Sequence, residues 1–132
     1  MTPSAVGGMP RVLLRAEGAA FFIVSTILYA KDGDSWWLFA ILFLSPDLSF
    51  LGYLGGPRVG LIVYNAAHTL VGPLLLVVAG LLWPLNILVS LALIWIGHIG
   101  FDRFVGYGLK YAAGFGFTHL GHVGRTAGET PN

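Results

Sequence analysis

Four apolar stretches, residues 12–30, 36–54, 58–82 and 85–105, occupy most of this 132-residue chain. Each is near the ~20 residues that a bilayer core requires. In lipid every backbone N–H and C=O has to be satisfied within the chain, which for runs of this length means helices. The connections are short. Lys31-Asp32-Gly33-Asp34 is a polar turn with Asp34 or Ser35 as the N-cap of the next helix, Gly55-Gly56-Pro57 is a second turn, and Trp83-Pro84 leads into the fourth stretch with Pro84 at a helix start. Such connections make successive helices antiparallel. The expected fold is therefore all-α, an integral membrane up-down-up-down four-helix bundle forming one domain over residues 1–132, with an interfacial tail over residues 106–132. Two prolines interrupt the pattern. Pro46 leaves the Leu42 carbonyl without its helical partner, and Pro73 lies inside the third span.

Only 10% of the residues are charged and 56% are hydrophobic, whereas a soluble domain carries about a quarter charged residues. The lipid bilayer is thus the first partner. A net charge of +1 with no basic run excludes nucleic acid. The absence of Cys excludes disulfides and thiolate ligands. The first ten residues lack the basic region, short apolar core and cleavage site of a signal peptide, so the first helix is read as retained. Arg11, Arg15, Arg58, Arg103, Lys110 and Arg125 fall at the end of the bundle that holds both termini, against Lys31 alone at the other. Both termini are then cytoplasmic, and Trp36, Trp37 and Trp83 form an aromatic belt at the outer interface.

Each apolar stretch also carries a polar or ionisable residue: Glu17, Asp47, Asn65 with His68, and His98 with Asp102. Counted at ~1.5 Å per residue from the cytoplasmic helix ends, all fall ~5 to ~15 Å deep, in one slab of the inner leaflet. Asn65 and His68 are three apart and His98 and Asp102 four apart, so each pair shares a helix face. An ionisable group in a transmembrane helix costs at least a few kcal/mol, and five at one depth point to a site. The competing reading is interhelical hydrogen bonding, for which Ser, Thr, Asn or Gln would serve as well. For His98 and Asp102 it is a carboxylate fixing one imidazole tautomer, which is also what stands behind a metal-bound His. For Glu17 it is pairing with Arg58 or Arg103.

The segment from Gly106 to His122 is rich in Gly and aromatic residues and is placed on the inner interface. His119 and His122 either cap the polar layer from below or are ordinary interfacial residues, and Glu129 onward is read as frayed.

Several motifs carry a family resemblance: Arg15-Ala16-Glu17-Gly18, Ser45-Pro46-Asp47-Leu48-Ser49, Gly52-Tyr53-Leu54-Gly55-Gly56-Pro57-Arg58-Val59-Gly60, Tyr64-Asn65 with His68-Thr69, His98-Ile99-Gly100-Phe101-Asp102-Arg103, Gly106-Tyr107-Gly108-Leu109-Lys110-Tyr111 and Thr118-His119-Leu120-Gly121. From about Arg11 to Gly121 the chain resembles a small bacterial membrane-protein family catalogued as domain of unknown function 4260. That resemblance implies a compact four-helix protein of the bacterial inner membrane and no particular activity.

Three functional classes fit these residues. In a metal-dependent, hydrolytic enzyme, His68 and His98 with Asp47 and Asp102 hold Zn or another divalent transition metal, and a spare carboxylate among Asp47, Asp102 and Glu17 is the general base. Asn65, Arg103 and His119 support the site. A non-enzymatic accessory subunit would use His68 or His98 as an axial ligand, or Gly-rich faces to dock a membrane-protein partner or a second copy. A proton or ion pathway would use the same polar layer, though the outer half offers little beyond Ser25, Thr26 and Ser90.

Overall fold

The computed structural model describes residues 5–110 and 117–122. Among these the helices are α1 (Gly8–Asp32), α2 (Trp36–Leu42), a 3₁₀ helix (Ser45–Gly55), α3 (Pro57–His68), α4 (Val71–Leu82) and α5 (Asn86–Val105), followed by a two-residue-per-strand antiparallel hairpin, β1 (Phe117–Thr118) and β2 (Gly121–His122). Three helical units are long and apolar enough to cross a membrane: Gly8–Asp32, Trp36–Gly55 and Asn86–Val105. The pair Pro57–His68 and Val71–Leu82, bent by 47°, makes a fourth if taken as one span.

The expected third span is therefore broken, and its proline explains where. Pro73 has no N–H and its ring collides with the preceding turn of a continuing helix. The chain stops at His68, passes through extended Thr69, and restarts so that Pro73 sits in the first turn of α4, where no N–H is required. Trp95 of α5 donates its indole N–H to the Ala67 carbonyl at 2.6 Å, closing a group the break leaves open. Pro46 acts similarly. It stands at the start of the 3₁₀ helix, and the Leu42 carbonyl that it leaves unpaired accepts the Ser45 hydroxyl at 2.7 Å.

The other ends follow local chemistry. Ser35, one of the two expected N-caps, accepts the Leu38 N–H, whereas α5 begins at Asn86, two residues beyond Pro84. Gly56 has φ +108 and can turn the chain only because it lacks Cβ. Gly106, with φ +98, closes α5: its N–H reaches Arg103 and that of Tyr107 reaches Asp102, the paired bonds of a Schellman motif.

The helices are not four equal members of a bundle. Helix α5 is the centre, with Ser90, Ala92 to Ile94 and Ile96 to Gly100 buried, and it packs on α1 along most of its length and on α4, while the 3₁₀ helix lies against α3. Tyr29, Leu93 and Ile94 form the core beside it, with Phe39 and Phe43 packed on them. Several glycines serve close packing within the chain: Gly18 and Gly100 face each other across α1 and α5, and Gly80 faces Val89. The described part of the tail also departs from a simple interfacial segment. It folds back against α3, with Lys110 bridged to Thr118.

Candidate metal centre

Four side chains from three regions of the chain converge. His98 and Asp102 lie one turn apart on unbroken α5, Asp47 stands on the second residue after the 3₁₀ helix begins, and His68 is the last residue of α3. His98 Nε2 is 3.1 Å from Asp102 Oδ2, 3.2 Å from Asp47 Oδ1 and 3.2 Å from His68 Nε2. His68 Nε2 is 3.4 Å from each carboxylate. One ligand atom from each residue lies within 4.8 Å of all the others. A tetrahedron of bond length ~2.0–2.1 Å, as for zinc with imidazole and carboxylate, has edges of ~3.3–3.4 Å. The five short separations match that figure.

The imidazoles are oriented for the purpose. His68 Nδ1 donates to the Tyr64 carbonyl at 2.9 Å, so in the neutral ring Nε2 carries the lone pair and points into the cluster. Tyr64 stacks on the same ring, centroids 4.0 Å apart. His98 is buried, and among the described residues its Nδ1 has no partner within hydrogen-bond distance; it is directed toward the Phe43 carbonyl, which 3₁₀ geometry frees when the Asp47 N–H bonds to Leu44 instead. The Nε2 atoms of both histidines and two carboxylates face one point in a poorly solvated interior, where unprotonated nitrogens and carboxylates repel one another. Positive charge at that point, from protons or from a metal ion, is required to hold them there.

Glu17 is not part of this group. The face of α1 that packs inward is that of Gly18, Ser25 and Tyr29, which turns Glu17 about 100° outward onto an exposed surface near Arg103. The face of α1 that carries Glu17 is not the inward one. Asn65 supports the centre indirectly: its amide accepts the Lys110 N–H at 2.7 Å and donates to the Lys110 carbonyl at 2.9 Å, tying the C-terminal segment to α3. Arg103 lies beside Gly18, and its charge is felt at His119. His119 is a structural acceptor, taking the Leu109 N–H on Nδ1 at 2.9 Å while its own carbonyl receives Val6 N–H. The side chain of His122 and all of Glu129 to Asn132 lie outside the described residues.

Burial and the Arg103 charge hold the His119 pKa below its ordinary 6.5. The neutral ring is the folded form, so the unfolded segment binds the extra proton: stability is complete above about pH 6.5 and is lost as pH falls through the lowered folded value. Amide protection at Leu109 and His119, referred to the intrinsic exchange rate at each pH, is expected to fall as pH drops below about 6.5, and His119→Gln, which keeps an acceptor, to abolish that dependence.

A cavity of about 250 Å³ lies against the cluster. Asp47 and Asp102 line it with Phe50, Tyr64 and Tyr107, and with Lys110 and Thr118 of the C-terminal segment. Lys110 was legible in the sequence only as a basic residue near a membrane surface, and Tyr64 and Trp95 only as apolar helix residues. The one sequence reading that brings the tail to the polar layer is the alternative in which His119 and His122 cap it from below.

No curated protein and no solved structure matches the chain. The match that does exist spans the tetrad, Asn65, Lys110 and the hairpin together: the family model described as Domain of unknown function (DUF4260) covers residues 11–123, and the chain belongs to that family.

Proposed function

We propose that the chain is a single-domain, four-span membrane protein with both termini cytoplasmic, whose His68, His98 and Asp102 hold a divalent transition metal, zinc by preference, for hydrolysis of an amphipathic substrate at the inner leaflet. The observation that carries this reading is the convergence of one ligand atom each from His68, His98, Asp102 and Asp47 within 4.8 Å of one another, beside a cavity that the two carboxylates line. A divalent ion there acts as a Lewis acid and makes water a better nucleophile near neutral pH. Asp47 is the natural general base. Its side chain is 39% accessible against 15% for Asp102 and 4% or less for the histidines, so it is the carboxylate that would be reached by water and could take a proton from it. Asp102, anchored by the Schellman turn at the end of α5, is the fixed oxygen ligand.

The membrane part rests on the three long apolar helices, on the bent fourth pair, and on large apolar side chains facing outward, among them Ile23, Val24 and Ile27 of α1 and Leu74, Leu75 and Val78 of α4. Reporter fusions test its orientation. A periplasm-dependent reporter is expected to be active at Gly33 and inactive at the C-terminus, and the opposite pattern would reject it.

Elemental analysis after mild detergent extraction tests the metal. About one ion per chain is expected, with Asp102→Asn losing affinity ~10- to 100-fold and Asp47→Asn keeping the ion but losing turnover. If both carboxylates only bond across helices, each variant should lose ~1 kcal/mol or less of stability with metal content unchanged. That result would sink the reading.

A further inference from the structure

We infer that the cavity beside the metal centre is a phosphoryl-anion site, in which Lys110 and the ion at His68, His98 and Asp102 together hold the phosphate of a headgroup or a small phosphate ester. The inference rests on the metal reading and adds the class of ligand. Lys110 is 8% exposed and lines the cavity, with its ammonium 4.7 Å from the centroid of the Tyr64 ring and 5.7 Å from that of Phe50. Its position is built into the fold. The Asn65 side chain holds its backbone on both sides, N–H and C=O, and the pairing with Thr118 fixes the same stretch to the hairpin. A Lys ammonium is a point charge suited to phosphate, and here two aromatic faces direct it while Tyr64 also stacks on the metal ligand His68.

Charge gives the selectivity. Without the ion, the charged groups lining the cavity are two carboxylates against one ammonium, a net negative surface that repels an anion. A divalent ion reverses the balance to net positive. Size gives the rest: about 250 Å³ is below the ~300–1,000 Å³ of sites for drug-sized ligands, so it admits a phosphorylated headgroup and not acyl chains. Exposed apolar residues of the 3₁₀ helix, Leu48, Leu51 and Leu54, lie beside Asp47 and Phe50, where chains of a lipid could remain in the bilayer. Basic groups at the cytoplasmic side of helices commonly hold phospholipid headgroups.

The test uses the full chain in a neutral detergent, zinc-loaded or metal-stripped, titrated with sn-glycerol 3-phosphate and with short-chain phosphatidic acid, with zinc content measured separately. Zinc-loaded protein is expected to bind a phosphate probe at least ~10-fold more tightly than stripped protein, and the probe to tighten zinc by the same factor, since coupling is reciprocal. Lys110→Gln should weaken the probe about tenfold while keeping zinc, and Lys110→Arg should restore binding. Tighter phosphatidic acid identifies a lipid source, and equal affinity of the two probes a soluble ester. A zinc-loaded protein that binds neither probe, or binds them equally well as Lys110→Gln, overturns the phosphoryl site and leaves the metal centre standing. Failure to bind zinc overturns both.

Discussion

Metal-stripped protein reloaded with zinc at a thousandfold excess over its Kd is expected to gain about 4 kcal/mol of unfolding free energy, and His98→Ala to lose most of that gain. His98 sits at three of the five short edges of the cluster, at 3.1, 3.2 and 3.2 Å from Asp102, Asp47 and His68. It is also the most enclosed ligand, packed edge-on against Phe43 in the centre of α5. Removing it takes away a ligand and leaves a void beside the core, so absolute stability mixes two effects. The difference between loaded and stripped protein separates them, because the void is present in both. Unfolding followed by tryptophan fluorescence in detergent, with zinc and then with chelator, gives that difference. Wild-type protein that unfolds identically in the two conditions would remove the metal from the account of this site.

A separate effect, on the fold itself, is expected from a single methyl group at the crossing of α1 and α5. A Cβ on Gly100 would stand 2.6 Å from the Gly18 carbonyl oxygen and 2.7 Å from the Phe22 nitrogen, and one on Gly18 would stand 2.8 Å from the Gly100 oxygen and the Phe104 nitrogen. These neighbours are backbone, so no side chain can swing away. The helices have to separate, as small residues at membrane-helix contacts otherwise prevent. Gly100→Ala is expected to destabilise by ~1–3 kcal/mol or more. It should also weaken zinc, because His98 and Asp102 flank it on α5. Gly18→Ala strains the same contact, so the double variant should be less than additive. Gly7→Ala, where a Cβ meets nothing within 4 Å, is the control. Thermal unfolding of the four proteins in one detergent decides the matter, and a Gly100→Ala protein as stable as the control would contradict the packing.

The site was more legible than the fold that carries it. Asp47, His68, His98 and Asp102 could be found because a charged or imidazole group in an apolar run is costly at any rotation of the helix, and because the i to i+4 spacing of His98 and Asp102 sets a shared face. Glu17 lies in an apolar run like the others, but not on the inward face: on α1 the inward stripe is set by Gly18, Ser25 and Tyr29, small or aromatic residues that polarity alone does not rank. The breaks were half legible. Pro46 announces its own interruption, whereas Pro73 does not say whether the chain bends at it or several residues before it. The choice of Thr69 depends on Trp95 reaching the Ala67 carbonyl, a contact 28 residues away in sequence. The return of the tail is longer range still. Asn65 and Lys110 are 45 residues apart, and nothing local in a Gly-rich segment specifies where it will land.

The two interrupted helices would also set how quickly an ion held, as proposed, by His68, His98 and Asp102 enters and leaves. His98 and Asp102 ride on one continuous, centrally packed helix whose end is closed by its own turn, so they form a preassembled two-toothed chelate. His68 stands at the end of α3, where a small backbone rotation at Thr69 would displace it without unfolding a helix, and Asp47, the proposed base, stands just after the interruption at Ser45. Entry would then run in order, with α5 capturing the ion and His68 closing over it. Exchange would be timed by the hinges and not by bond strength. Stiffening either joint should slow uptake and release together while leaving the equilibrium affinity nearly where it was.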